Sequence, residues 1–117
     1  VRTRIPAWHP VEKKAFSCCD EPGFAAALAR SGKTNVIICG IETHVCVLQT
    51  TLDLLNTGYQ PVVVTDAVSS RFPADKEVAL GRMQQEGVIL TTVESVLFEL
   101  ARVSGTDAFK AISKLVK

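Results

Sequence analysis

Three short apolar runs, each separated from the next by a helical pattern, constrain the fold more than any other feature. Asn35-Val36-Ile37-Ile38-Cys39-Gly40 is continuous and apolar, as expected of a strand buried on both faces. Gln60-Pro61-Val62-Val63-Val64-Thr65 is the second run, with its proline at the entrance, and Val88-Ile89-Leu90 is the third. Between them the spacing predicts a helix over 44–57, ended by Gly58, and another over 73–86, with Gly87 beyond it. An alanine-rich helix over 24–30 precedes the first strand and stops near Gly32. Thr91 and Glu94 have the spacing of a capping box that opens a helix over 92–103, and a terminal helix covers 107–116. Crossovers of this length favour parallel strands, and right-handed crossovers give an open α/β sheet with helices on its faces. Such sheets bind ligands beyond the carboxyl ends of their strands, where strand order reverses. Residues 40–46 and 66–72 lie at those ends.

The chain of 117 residues fits one domain. Although 47% of it is hydrophobic, no stretch approaches the ~18 apolar residues of a membrane span. The start, Val1-Arg2-Thr3-Arg4-Ile5-Pro6, carries charge but no apolar core of the kind a signal peptide needs. A net charge of +1, mixed in sign along the chain, gives no footing for a nucleic acid or an anionic membrane as partner. The default is a cytoplasmic protein, in which four cysteines are free thiols. Cys39 reads as a small buried hydrophobe, and the adjacent Cys18 and Cys19 receive no function. His9 and His44 are too few to make a metal site, and no cofactor is implied.

Cys46 stands apart from the other three. The helix over 44–57 has an apolar stripe at Val45, Leu48, Leu52 and Leu55. At ~100° per residue Cys46 points about 140° from the centre of that stripe, on a face shared with Thr50, Asp53 and Thr57. Thr43 is a good N-cap, which would put Cys46 in the first turn. There the unpaired amides and the positive end of the helix dipole favour a thiolate, the nucleophilic form. A strand, a glycine-containing turn and a nucleophile at the helix start form a nucleophile elbow, whose amides can stabilise an oxyanion. Geometry alone leaves open a half-buried cysteine facing a neighbouring helix or subunit.

Gly40-Ile41-Glu42-Thr43-His44-Val45-Cys46-Val47 resembles the G-x-x-T-x-x-C-V signature of the isochorismatase-like hydrolases. Gln49-Thr50-Thr51-Leu52-Asp53, Gly58, the turn Asp66-Ala67-Val68-Ser69-Ser70-Arg71 and Ala79-Leu80-x-Arg82-Met83 extend the similarity. It runs over about 11–103 and looks closest to the isochorismatase-domain-containing proteins. The resemblance implies a three-layer Rossmann-like α/β fold with a mainly parallel sheet. It puts the nucleophile on Cys46 and the catalytic lysine, within a K-x-x-F-S pattern, on Lys13; Lys14 is one residue out of register. It also implies a cis peptide at Ile41-Glu42, an oxyanion hole from the amides of Glu42 and Cys46, and a substrate pocket near Phe16, Thr43 and His44.

The family's third catalytic group, an aspartate on its first strand, would lie upstream of Val1. Asp66 matches a different, structural position, and neither Asp20 nor Asp53 has a better claim to that role. Residues 1–117 are therefore expected to be the C-terminal portion of a single domain on the order of 200 residues. Without the first strand, the strand leading to Cys46 would present a bare apolar edge, and the chain alone would be inactive. The expected activity is hydrolysis of a C–N bond in a small amide or ureide through a cysteine thioester, in a homo-oligomer. The alternatives are vinyl ether hydrolysis of the isochorismate type and a non-catalytic interaction module.

Overall fold

The computed structural model describes residues 3–117; Val1 and Arg2, part of the charged start read above, lie outside the described residues. A single turn of 3-10 helix, Cys18–Asp20, leads into α1 (Pro22–Ser31) and β1 (Asn35–Ile41). A π-helical turn, Thr43–Val47, runs directly into α2 (Leu48–Asn56). There follow β2 (Gln60–Ser69), α3 (Pro73–Glu86), β3 (Ile89–Thr91), α4 (Val93–Ala101) and α5 (Asp107–Val116).

The three strands form a parallel sheet in the order β1-β2-β3. Register assigns the two faces. Ile38, Val63 and Leu90 align on one face, and Ile37, Val62 and Ile89 on the other. The first face carries the core, in which Val47, Leu48, Val63, Val68, Ala79, Met83 and Val88 are buried together beneath α2 and α3. On the second face α4 contacts β2, and Val96 and Leu100 line a groove with Ile37, Val62 and Ile89. This is the α/β architecture with helices on both faces of a parallel sheet. Among the described strands the order runs without reversal, so the switch point expected from the fold class is not among them.

Several local expectations change. β1 reads as a strand buried on both faces that would be left as a bare edge here; among the described residues it is that edge, pairing only with β2, and it is not buried. Its residues alternate between exposed and half-buried, with Ile37 49% and Ile41 72% exposed. Cys39, expected to be buried, is exposed for the same reason: the sheet ends at its strand. The capping box of Thr91 and Glu94 is displaced by one residue, because the Thr92 hydroxyl accepts from the Ser95 amide. Asp66 has a structural role as read, its Oδ1 accepting from the Val93 amide at 2.9 Å where α4 begins. No helix among the described residues is long and apolar enough to cross a membrane.

Candidate active site

The carboxyl end of β1 is built by a break in strand register. Ile38 pairs with Val63, whereas Gly40 pairs with Val68, so β2 spends extra residues in between. That bulge re-aims the end of β2 and brings Ser69, Ser70 and Arg71 alongside 41–44. Gly40 has φ 110°, which a residue with a Cβ adopts only under strain. The Ile41-Glu42 peptide that follows is cis.

Thr43 is not the N-cap. Glu42 holds that position with extended backbone and no side-chain cap, and Thr43 is the first residue of the π turn. The Val45 and Val47 amides both donate to the Glu42 carbonyl at 3.2 Å. Thr43 is fully buried, and its hydroxyl has no hydrogen-bond partner among the described residues. The Glu42 carboxylate is drawn away from the helix start: Oε1 accepts from Arg71 Nε at 2.8 Å and from the Arg71 amide at 3.2 Å. Those hydrogen bonds hold the Glu42 carboxyl below its usual range. His44 ties the same turn to its neighbours, with Nδ1 2.9 Å from Ser70 Oγ and Nε2 3.9 Å from Asp75.

The Glu42–Arg71 pair predicts a small pH effect with a defined sign. A carboxylate whose folded pKa is depressed adds stability above its unfolded value, near 4.5, and loses it as pH falls through the folded value. The difference in thermal midpoint between the wild type and Arg71→Met should therefore be present at neutral pH and vanish under acid conditions. Arg71 is exposed and Glu42 half-buried, so the difference should be modest and should shrink with added salt.

Cys46 is half-buried in the π turn, a distortion found disproportionately at functional sites. The wider turn changes the angular relation to α2 that regular helical spacing predicts. The polar face read below Cys46 is covered at Thr50 and partly at Asp53, and open at Thr57. Thr50 is 5% exposed, and its hydroxyl accepts from the Cys18 amide at 2.9 Å. Ser17, 1% exposed, donates to Asp53 Oδ2 at 2.6 Å. Val47 and Leu54, which lie off the predicted apolar stripe, are also buried within the chain itself.

This docking of 17–20 on α2 brings Lys13 to the site. Lys13 and Cys46 line one cavity of about 290 Å³, together with Cys18, Cys39, Ile41 and Thr50. Lys13 Nζ donates to the carbonyls of Ala15 at 2.8 Å and Phe16 at 2.9 Å, so the loop curls around its own ammonium. Phe16, Thr43 and His44 do not line this cavity, and the Phe16 ring is exposed. Lys14 is absent from this cavity and lines a second depression, which Lys13 also borders, with Glu12 and Asp20. All four cysteines are free, and burial raises the Cys19 thiol above its ordinary value. Among the described residues no group of three His, Cys, Asp or Glu side chains could hold a metal ion. Sequence reading missed Ser17, Thr50 and Asp53 as the support of Lys13. The available signal was the serine closing the K-x-x-F-S pattern.

The isochorismatase domain model matches residues 5–95. The chain is 54% identical over 85 residues to the secreted isochorismatase effector Isc1 of Phytophthora sojae, covering 73% of this chain and 40% of the relative. It is 46% identical over 109 residues to mouse isochorismatase domain-containing protein 2A, covering 92% and 52% respectively. Among solved structures, the MAR1 ribonuclease of Caenorhabditis elegans superposes with TM-score 0.80 at 46% identity, over 89% of this chain and 53% of that one. The Escherichia coli YcaC product, described as an octameric hydrolase of unknown specificity, superposes with TM-score 0.81 at 30% identity, over 86% and 50%. The chain thus spans about half the length, or less, of the curated relatives it matches. With the domain model matching most of its length and its fold in common with these solved structures, the chain belongs to the isochorismatase domain family.

Proposed function

We propose that residues 1–117 are the C-terminal portion of a single hydrolase domain that cleaves a C–N bond in a small amide or ureide. The observation that carries this reading is the shared cavity of Lys13 and Cys46, two residues 33 positions apart in sequence (46 − 13). In this mechanism the Cys46 thiolate attacks the carbonyl, and the amides of Glu42 and Cys46 stabilise the oxyanion. The C–N bond then breaks, and the amine leaves with a proton from an aspartate supplied upstream. Water attacks the thioester, releasing the acid and restoring the thiol. Lys13 holds the negative charges by Coulomb attraction, and Ile41 and Thr50, which line the same cavity, shape the substrate side. The Glu42 carboxylate would oppose an oxyanion at its own amide, but Arg71 pairs with it and offsets that charge.

The octameric state described for YcaC supports a homo-oligomer here. Free thiols favour a reducing compartment, whereas the Phytophthora relative is named as secreted. A second reading takes RNA as substrate, because the C. elegans neighbour carries the name ribonuclease.

The test is rapid mixing of the complete domain with a panel of small amides and ureides, followed by intact-mass analysis. The expected result is a burst of amine, equal to the enzyme concentration, with an acyl adduct on the peptide containing Cys46. Turnover of an amide with neither burst nor adduct would remove the thioester mechanism. Cleavage of a labelled RNA oligomer that is unaffected by alkylation of Cys46 would favour the second reading.

A further inference from the structure

We infer that Asp53 is a positioning residue that fixes the loop carrying the Lys13 ammonium beside the cavity it lines with Cys46, an assignment that rests on the roles proposed above for those two residues. The chain of contacts is short at every link. Asp53 Oδ2 accepts from the Ser17 hydroxyl at 2.6 Å, the length of a charge-assisted bond. The Ser17 oxygen in turn accepts from the Cys19 amide at 3.2 Å. One residue on, the Cys18 amide donates to Thr50 at 2.9 Å. Immediately before Ser17, the carbonyls of Ala15 and Phe16 hold Lys13 Nζ. The ammonium is thus located by a loop whose C-terminal end is fastened to α2, the helix that continues from the Cys46 turn.

Ser17 is 1% exposed, and a buried hydroxyl left without its acceptor costs about 1–3 kcal/mol. Loss of the Asp53 carboxylate therefore favours release of the segment rather than its persistence in place. The Lys13 side chain is exposed, with no salt-bridge partner among the described residues, so the loop alone determines where its charge lies.

The prediction is read from the alkylation of Cys46 in the full chain by an anionic and a neutral reagent, iodoacetate and iodoacetamide. Their rate ratio reports the local charge at the sulfur rather than its accessibility. Lys13→Met should lower the ratio by about threefold to tenfold at low salt, as loss of a nearby unit charge would. Asp53→Ala, which removes the acceptor outright, should lower it by the same factor, and adding it to Lys13→Met should lower it no further. Ser17→Thr, which retains a hydroxyl, should keep the ratio near the wild-type value. Ser17→Ala carries the same expectation as Asp53→Ala should that variant fail to fold.

A ratio unchanged in Asp53→Ala and Ser17→Ala, in chains of native helical content, overturns the assignment while leaving the role of Lys13 intact. A ratio unchanged in Lys13→Met overturns both.

Discussion

Replacing Cys46 with serine in the complete domain is expected to lower amide turnover on the order of a thousandfold or more, with no comparable loss for Cys18, Cys19 or Cys39. The magnitude follows from the role: removing a covalent nucleophile leaves only binding and oxyanion stabilisation to act. Serine keeps the size and a hydrogen-bonding group, so the half-buried position should be filled without strain. Urea unfolding should therefore give nearly the same midpoint for the variant and the wild type. The other cysteines make the comparison informative. Cys18 and Cys39 line the same cavity but sit on the 3-10 turn and the edge strand, outside the π turn. An effect of similar size from Cys39→Ser would point to cavity shape as the cause. Undiminished turnover in Cys46→Ser would end the nucleophile reading.

The features legible in the sequence were those set by local pattern. Gly58 and Gly87 both have positive φ beyond the helices they close, and α3 and α5 run over the ranges their spacing predicts. The readings that failed depend on partners far away in the chain. Thr43 has the chemistry of an N-cap, but the turn before it is set by β2 through the register break and by Arg71, 29 residues distant from Glu42. Cys39 looked buried because an apolar run implies neighbours on each side, and this sheet has a strand on one side only. Thr50 and Asp53 read only as polar neighbours of Cys46, because helical periodicity does not register a covering segment that is itself polar. Serine, threonine and aspartate can be buried when they satisfy one another, and Ser17 with Asp53 does so. The motif points to Cys46, whereas the side-chain hydrogen bonds that dock Ser17 and Cys18 on α2, beside the cavity that Lys13 and Cys46 line, are invisible to periodicity.

Met83→Ala is expected to destabilise the chain by about 2–5 kcal/mol, a large share of the total for a domain of this size. Met83 is fully buried and belongs to one cluster with Val47, Val63, Val68, Ala79 and Val88. Val47 is the residue after Cys46, so a void at Met83 opens directly beneath the turn that carries the thiol. Two effects should therefore appear together. The urea midpoint should fall with little change in slope, and in the fraction that remains folded Cys46 should alkylate at an altered rate. Met83→Leu fills nearly the same volume and should cost less than about 1.5 kcal/mol, leaving Cys46 close to its wild-type behaviour. Leu115, 78% exposed on α5, supplies the contrast: its replacement by alanine should fall within about 0.5 kcal/mol of neutral. A Met83→Ala chain that lost stability but kept wild-type reactivity at Cys46 would show that the π turn is held by Glu42, His44 and their partners. The core beneath it would then contribute stability alone.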